Sequence, residues 1–252
     1  MRRSEALDLI EQQSRDCDQF VVVRIIDGAS AEIFVADRNG QLQPSPQDKV
    51  LANEISEKVR SLVAARGTAT IWTTTRPDER SIRVIVEVIK PKSALVVFGA
   101  GHVGQALALM GAIAGFEVTV IDDRREFACR ERLPDQRINI VVSDFETAAS
   151  KLMVSAATAI AIVTRGHQYD ELCLRSVLDL PAAYVGMIGS KRRVISVFER
   201  LVEAGASREA LNRVHAPIGL RIGAKSPQEI AVAILAEIIS HNNPDRAPES
   251  KD

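Results

Sequence analysis

Cysteine is scarce in this sequence, and the three cysteines, Cys17, Cys129 and Cys173, lie far apart. Residues so few and so scattered predict no disulfide framework, and no CxxC pair indicates a zinc site. We therefore expect reduced thiols in a cytoplasmic protein. Thiols that handle sulfur are one interpretation of Cys129 and Cys173, but we expect small buried residues inside helices.

The sequence also has no marked excess of charge, because 32 basic and 33 acidic side chains leave a formal net charge of −1. That balance gives no electrostatic reason to expect a nucleic acid or an anionic membrane surface as a partner. No uninterrupted apolar run approaches the length that crosses a bilayer. The N-terminus carries two arginines followed by acids and glutamines, which is not the pattern of a signal peptide.

The pattern of helical and strand segments in residues 1–90 predicts a small α+β domain. The clearest element is a helix with Ser45 as the expected N-cap, Pro46 at the first helical position and Gly67 at its end. The full set of expected elements is a weak helix over 4–13, strands over 20–26 and 31–37, the helix over 46–66, and strands over 68–74 and 82–89.

From Pro91 onward, short and continuously apolar runs alternate with helical segments. Strands without polar alternation are buried on both faces, as in a parallel sheet. This repeat predicts a Rossmann-like, doubly wound α/β domain over residues 91–241, followed by a disordered tail over 242–252. The expected strands are ALVVF at 94–98, EVTVI at 117–121, INIVV at 138–142, AIAIV at 159–163 and AYVGMI at 183–188.

The sharpest motif is an unbroken GxGxxG that runs from Gly99 to Gly104. It directly follows the first of these strands and opens a helix, which is the context that the motif requires. Gly99 permits the tight turn, Gly101 lets the backbone approach a pyrophosphate, and Gly104 allows close packing of helix on strand. His102 and Val103 begin a helix whose free N–H groups favour an anion. A tight βα turn without a ligand is the alternative.

Acidic and basic residues follow the second strand of this domain. Asp122 stands where a carboxylate would accept hydrogen bonds from a ribose, and Asp123 is a neighbouring alternative. Arg124 or Arg125 could instead face a 2′-phosphate. The alternative for Asp122 is that it caps a loop.

Polar clusters also follow the other strands. Because ligands of open α/β sheets bind at the carboxyl ends of the strands, we expect these clusters to share one rim with the glycine loop. They are Ser143 and Asp144; Thr164, Arg165, Gly166, His167 and Asp170; Gly189, Ser190, Lys191, Arg192 and Arg193; and His215 to Leu220.

Two helix starts lie among these clusters. Ser190 and the three cations that follow it could form a second anion site or a solvated basic turn, and the sequence leaves both open. Ser226 and Glu229 match a capping box, which we expect to be structural.

Three histidines, His102, His167 and His215, fall on the expected rim. With Asp122 or Asp170 they could bind a metal, but no short ligand spacing such as HxxxH supports this, and we expect none. Neutral imidazoles that hydrogen bond to a ligand or to loop backbone are the expectation.

Five motifs in order resemble the C-terminal domain of the XdhC/CoxI family, the xanthine dehydrogenase accessory proteins, over roughly residues 87–241. The resemblance implies a molybdenum cofactor chaperone that protects the cofactor during sulfuration and assists its insertion into an apo molybdenum hydroxylase. It also implies docking on that apoenzyme and on a sulfur donor such as a cysteine desulfurase, and it is compatible with a homodimer. The motifs are FGAGHVGQALA, VIDDRREFA, TRGHQYDELCL, YVGMIGSKRRV and HAPIGLRIGAKSPQEIAVAILAEII.

The resemblance assigns roles to the rim. Gly99, Gly101, His102 and Gly104 would hold phosphate; Asp122 and Arg124 would hold ribose or pterin; His167, Ser190, Lys191 and His215 would line the opposite wall. The first 90 residues lack the Gly-Gly-Cys stretch of longer family members, and Cys17 has acidic neighbours.

Two other functions fit the glycine loop. One is an NAD(P)-dependent oxidoreductase, for which His167 with Asp170 is the only candidate catalytic pair. The other is a regulatory domain in which NAD(H) binding controls a partner. A cofactor-binding accessory protein, rather than a turnover enzyme, remains the main expectation.

Overall fold

The computed structural model divides into two compact units, residues 1–91 and 92–252. Cys17, the side chain of His167 and the expected tail from residue 244 onward lie outside the described part of the chain. The described residues are 3–16, 19–28, 30–65, 67–76, 80–90 and 92–243.

The N-terminal unit is a five-stranded antiparallel sheet with a helix against each face. Its elements are α1 (Arg3–Asp16), β1 (Phe20–Asp27), β2 (Ser30–Ala36), β3 (Leu42–Gln43), α2 (Lys49–Ala64), β4 (Ala69–Thr75) and β5 (Ser81–Ile89). The strand order is β3-β2-β1-β5-β4. Leu51, Ile55 and Val59 of α2 are buried against one face, and Leu9 and Ile10 of α1 pack against the other.

The start of α2 differs from the prediction. Ser45 and Pro46 lie in the segment before the helix, and Asp48 is the N-cap. The Asp48 carboxylate accepts hydrogen bonds from Val50 N and Leu51 N, both at 3.0 Å. This carboxylate thereby satisfies two N–H groups of the first turn, which is the role of an N-cap. Ser45 lies too early in the chain to reach these N–H groups.

The C-terminal unit is a six-stranded parallel sheet with helices on both faces. Its elements are β6 (Ala94–Phe98), α3 (His102–Ile113), β7 (Glu117–Asp122), β8 (Asn139–Val142), α4 (Phe145–Ser150), β9 (Thr158–Ile162), α5 (His167–Val177), β10 (Tyr184–Met187), α6 (Lys191–Glu203), α7 (Arg208–Leu211), β11 (Val214–His215) and α8 (Pro227–Asn242). The strand order is β11-β10-β9-β6-β7-β8. The predicted doubly wound α/β class is confirmed.

The core of this unit explains the apolar strands of the sequence. All five residues of β9 are buried, because α3 and α8 cover one face of the sheet and α4, α5 and α6 cover the other. Leu107 and Ile234 lie in the first core, and Phe145 and Leu174 lie in the second. The two-residue strand β11 was not predicted. In the described part of the chain, no helix has both the length and the apolar character needed to cross a membrane.

Candidate functional site

The strand order places a topological switch point beside the glycine loop, and we call the space outside it the crevice. β6 lies between β7 and β9, so the chain turns to one side of β6 after α3 and returns to the other side at β9. Ligands of doubly wound sheets bind at this switch point, outside the carboxyl ends of the strands. The loops that border it are Gly99 to Gly101 after β6 and Val163 to Gly166 after β9.

The three glycines of the motif have different surroundings. Gly99 has φ +108°, and a Cβ there would lie 2.6 Å from the Val163 carbonyl oxygen. A Cβ on Gly104 would lie 1.8 Å from the Gly99 carbonyl oxygen. Gly101 has φ −70°, and a Cβ would meet nothing within 4 Å. Gly99 and Gly104 therefore allow close backbone packing, whereas the space over Gly101 is open to a ligand.

Two helices begin at this crevice without a side-chain cap. Gly101 is the N-cap of α3 and Gly166 is the N-cap of α5, and neither accepts a hydrogen bond through a side chain. By contrast, Ser190 caps α6, and Ser226 with Glu229 forms the predicted capping box of α8. Because the first N–H groups of a helix have no partner within the helix, α3 and α5 offer donors and the positive ends of their dipoles to the crevice.

Asp122 is occupied by the chain's own donors. Its carboxylate is 1% exposed and accepts hydrogen bonds from Ala100 N at 2.7 Å and from Arg124 N at 3.0 Å. Arg124 also donates through Nε at 2.9 Å and Nη2 at 3.0 Å, and its guanidinium lies over the Phe127 ring. A ribose could reach this carboxylate only by displacing these donors. The geometry shows Asp122 holding the glycine loop and Arg124 in place.

The neighbouring Asp123 pairs with Arg165 across the rim. Nη1 and Nη2 of Arg165 lie 2.5 and 2.9 Å from the two carboxylate oxygens, and Nη2 also donates to the Tyr169 hydroxyl at 2.7 Å. Hydrogen bonds from Arg165 hold the pKa of Asp123 below its usual value, and the same bonds raise the pKa of Arg165. Both groups are therefore charged at neutral pH. Tyr169 was not predicted, since its role depends on the position of Arg165 in space.

A buried carboxylate explains one cation at the start of α6. Asp170 is completely buried, and it accepts hydrogen bonds from the Thr164 hydroxyl and from Arg193. Arg193 therefore fits neither interpretation of the basic turn, because it pairs with a buried carboxylate. Lys191 and Arg192 are exposed, so a solvated turn and an anion site both stay open for them.

The cysteines differ from each other. Cys173 is buried in α5, as predicted, and desolvation raises the pKa of its thiol, so the thiolate is disfavoured. The prediction for Cys129 is wrong, because it is partly exposed and lies in the irregular segment after β7. There its Sγ atom is 3.6 Å from the Glu126 carbonyl oxygen.

His215 lies in a cluster of side chains from β10 and α8. Its imidazole stacks on Tyr184, the first residue of β10, with ring centroids 4.4 Å apart. It also lies 5.3 Å from the ring of His241, which contacts the Ala183 carbonyl oxygen just before β10. His215 is thus engaged with side chains of β10 and α8. Glu237 completes the cluster by accepting from the Tyr184 hydroxyl.

This cluster predicts a measurable pH dependence of stability. Burial lowers the pKa of His215 below 6.5, against the opposing effect of Glu237. Since the folded state favours the neutral imidazole, this stabilising contribution is present above about pH 6.5 and is lost as the pH falls through the lowered value. We expect His215→Gln to lose less stability than the parent chain between pH 7 and pH 5, measured by urea denaturation. Equal losses would contradict the prediction, and His102→Gln, at an exposed position, is the control.

The remaining predicted residues lie at helix starts on the rim. His102 is exposed at the first position of α3, and Val103 is partly buried beside it. Gly189 and Ser190 precede α6, and His167 is the first residue of α5. Within the described ranges, no group of three or more His, Cys, Asp or Glu side chains is arranged to hold a metal ion.

Cavities of about 460 and 510 Å³ lie in the described part of the N-terminal unit. The smaller one borders α2, where Ser56 donates to the Gly40 carbonyl oxygen at 2.7 Å and Arg60 donates to the Asn39 carbonyl oxygen at 3.2 Å. Because these polar groups already bond to one another, we place the candidate site at the crevice, where helix donors converge.

A glycine loop at the switch point of a doubly wound sheet is the architecture of a Rossmann domain. Residues 95–238, more than half of the chain, match the sequence profile of the XdhC Rossmann domain. The chain therefore belongs to the XdhC family.

Three curated proteins match about the same share of the chain. The uncharacterized protein YqeB of Escherichia coli K12 is 34% identical over 65% of the chain and 29% of its own length. A probable xanthine dehydrogenase subunit of Bacillus subtilis 168 is 29% identical over 64% of the chain and 46% of its own length. The molybdenum cofactor insertion chaperone PaoD of E. coli K12 is 22% identical over 60% of the chain and 41% of its own length. The matched region is thus less than half of each relative.

A solved structure has a similar fold. The crystal structure of a xanthine dehydrogenase from Bacillus halodurans aligns with 98% of this chain and 81% of its own, with a TM-score of 0.55 and 20% sequence identity. At this identity, the likeness concerns the fold alone.

Proposed function

We propose that this chain binds molybdenum cofactor at the switch-point crevice and assists its insertion into a xanthine dehydrogenase-type apoenzyme. The observation that carries the proposal is the pair of helix N-termini, at Gly101 and Gly166, that face the crevice without a side-chain cap. Membership of the XdhC family supports it. So do the names of two relatives, a molybdenum cofactor insertion chaperone and a probable xanthine dehydrogenase subunit.

The chemistry of the crevice fits the phosphate of the cofactor, which is a phosphorylated pterin. The N–H groups of His102, Val103 and Gly104 at the start of α3 would bind phosphate, with the open space over Gly101 to receive it. Lys191 is an exposed cation on the same rim, which would add attraction. The cofactor supplies molybdenum redox chemistry to the hydroxylase, whereas this chain binds and shields it as cargo.

The other predicted contacts enter this proposal with different roles. Asp122 would act by holding Arg124 and the loop, because its own oxygens are occupied. Gly99 would act through the turn, and Gly189 and Ser190 through the start of α6. We do not include His215, because its imidazole already contacts Tyr184, His241 and Glu237.

NAD(H) binding is the less favoured alternative. Recognition of its ribose depends on a carboxylate at the end of the second strand, and the Asp122 carboxylate already accepts from Ala100 and Arg124. NADH is therefore the natural competitor to use in a binding experiment.

We further propose that sulfuration of the bound cofactor depends on a separate sulfur donor, such as a cysteine desulfurase. Cys173 is excluded as an internal sulfur carrier, because it is too deeply buried and its thiol too weakly acidic. Cys129 is partly exposed, and the proposal gives it no role. Docking on the donor and on the apoenzyme, formation of a homodimer and a cytoplasmic location complete the proposal.

Retention of the cofactor tests this function. The purified chain is mixed anaerobically with molybdenum cofactor and passed through gel filtration, and molybdenum and pterin are measured in the protein fractions. We expect both to elute with the chain in about equal amounts, and excess NADH not to displace them. Elution of the cofactor in the small-molecule fractions, or its displacement by NADH, would contradict the proposal.

A further inference from the structure

The Asp123–Arg165 ion pair joins the two strands that flank β6. Asp123 directly follows β7, and Arg165 lies just beyond β9. Neighbouring strands are about 4.8 Å apart, so β7 and β9 are separated by roughly 10 Å. The two side chains together therefore bridge the width of β6 at its carboxyl end, where the glycine loop begins.

The guanidinium of Arg165 is positioned by three different groups. Besides both oxygens of Asp123, it contacts Tyr169 twice, through a hydrogen bond of 2.7 Å to the hydroxyl and by lying 4.1 Å from the ring centroid. Nη1 also lies 3.8 Å from Asp122 Oδ1, the carboxylate that holds the glycine loop. Tyr169 can thus keep the guanidinium near the crevice when Asp123 is released.

The pair is also accessible to an exchange of partners. The Arg165 side chain is 33% exposed and the Asp123 side chain is 29% exposed. Ion pairs at this exposure contribute little to folding stability, so opening one does not disturb a core. A guanidinium bonds a phosphate in the same two-pronged geometry as a carboxylate.

We propose that the Asp123–Arg165 pair is a clasp over the crevice that a ligand phosphate opens, with Arg165 exchanging Asp123 for a phosphate oxygen. This inference rests on the proposed function only in placing a phosphate at the start of α3. Asp123 then acts as an internal competitor that lowers the affinity for anions. Arg165 is the residue that recognises them. Ligands without a phosphate do not open the clasp.

The test uses inorganic pyrophosphate as the probe and isothermal titration calorimetry of the full chain at low salt. Asp123→Asn frees Arg165, and we expect it to bind pyrophosphate about fivefold more tightly than the parent chain. Arg165→Gln removes the guanidinium that binds the phosphate, and we expect about tenfold weaker pyrophosphate binding. The double variant should match Arg165→Gln, because the gain from Asp123→Asn depends on Arg165.

The control is Asp135→Asn, which breaks a pair of similar geometry with Arg137 on the segment after β7. It should leave pyrophosphate affinity unchanged, and thermal unfolding should show all four variants to be folded. Weaker, unchanged or absent binding by Asp123→Asn would overturn the clasp. So would an equal gain in the Arg165→Gln background, which would show only the general effect of removing a negative charge.

The outcome is separable from that of the proposed function. If pyrophosphate follows the expected pattern but molybdenum cofactor is not retained, the clasp stands and the cofactor assignment fails. If the cofactor is retained but Asp123→Asn gives no gain that depends on Arg165, the clasp fails and the proposed function stands.

Discussion

Replacement of Gly101 by aspartate is expected to weaken binding of the molybdenum cofactor by about 100-fold or more while leaving the chain folded. The new carboxylate would stand at the N-cap of α3, where aspartate accepts hydrogen bonds from the first N–H groups of a helix. It would therefore take the donors that we assign to the phosphate and place a negative charge in the same space. The measurements are cofactor retention on gel filtration and thermal unfolding.

Gly101→Ala is the matched control for this variant. The φ of −70° at Gly101 suits any residue, and an added Cβ would meet nothing within 4 Å, so alanine should keep both the fold and most of the binding. Because an aspartate N-cap stabilises a helix slightly more than glycine does, Gly101→Asp should unfold at the same temperature as the parent chain or higher. Full cofactor binding by a folded Gly101→Asp chain would refute the site.

Replacement of Arg193 by leucine is expected to destabilise the C-terminal unit by about 3 kcal/mol. The variant removes a cation from beside the completely buried Asp170 carboxylate, and a charge in a low-dielectric interior is costly without an ionic partner. Urea denaturation followed by circular dichroism measures the effect.

Arg192→Leu tests whether this effect is specific to the buried pair. Arg192 lies in α6 directly before Arg193, and it is exposed. We therefore expect its replacement to change the free energy of unfolding by less than about 0.5 kcal/mol. Adding Asp170→Asn to Arg193→Leu should recover part of the lost stability, because the unbalanced charge is gone. Equal effects of Arg192→Leu and Arg193→Leu would contradict the structural role of Arg193.

The fold of the C-terminal unit could be predicted because each local signal agreed with the others. Strands such as β9 are buried on both faces and therefore carry no polar alternation. Gly99 and Gly104 occupy positions that only glycine can fill, so the loop appears in the sequence as a fixed spacing. The start of α2 was missed because Ser45 and Asp48 are both good caps, and only the course of the chain after β3 decides between them.

The sequence predicted where the residues of the candidate site lie along the chain, but not which side chains they contact. The sequence placed Asp122 at the end of β7, but not the hydrogen bond from Ala100, which joins two loops that are distant along the chain. The polar pattern around His215 predicted a rim residue, but it gave no sign that the imidazole stacks on Tyr184. The buried hydroxyl of Tyr184 requires a hydrogen-bond partner. The amino-acid sequence does not show that this partner is Glu237, which is 53 residues away.

The most direct test of the central claim is an amide ¹H–¹⁵N correlation spectrum of the chain during anaerobic titration with molybdenum cofactor. If the crevice binds the phosphate, the largest shifts will fall on the first amides of α3 and α5, at His102, Val103, Gly104 and His167. If the largest shifts instead fall in the N-terminal unit or around Tyr184, the cofactor binds elsewhere and the account is wrong.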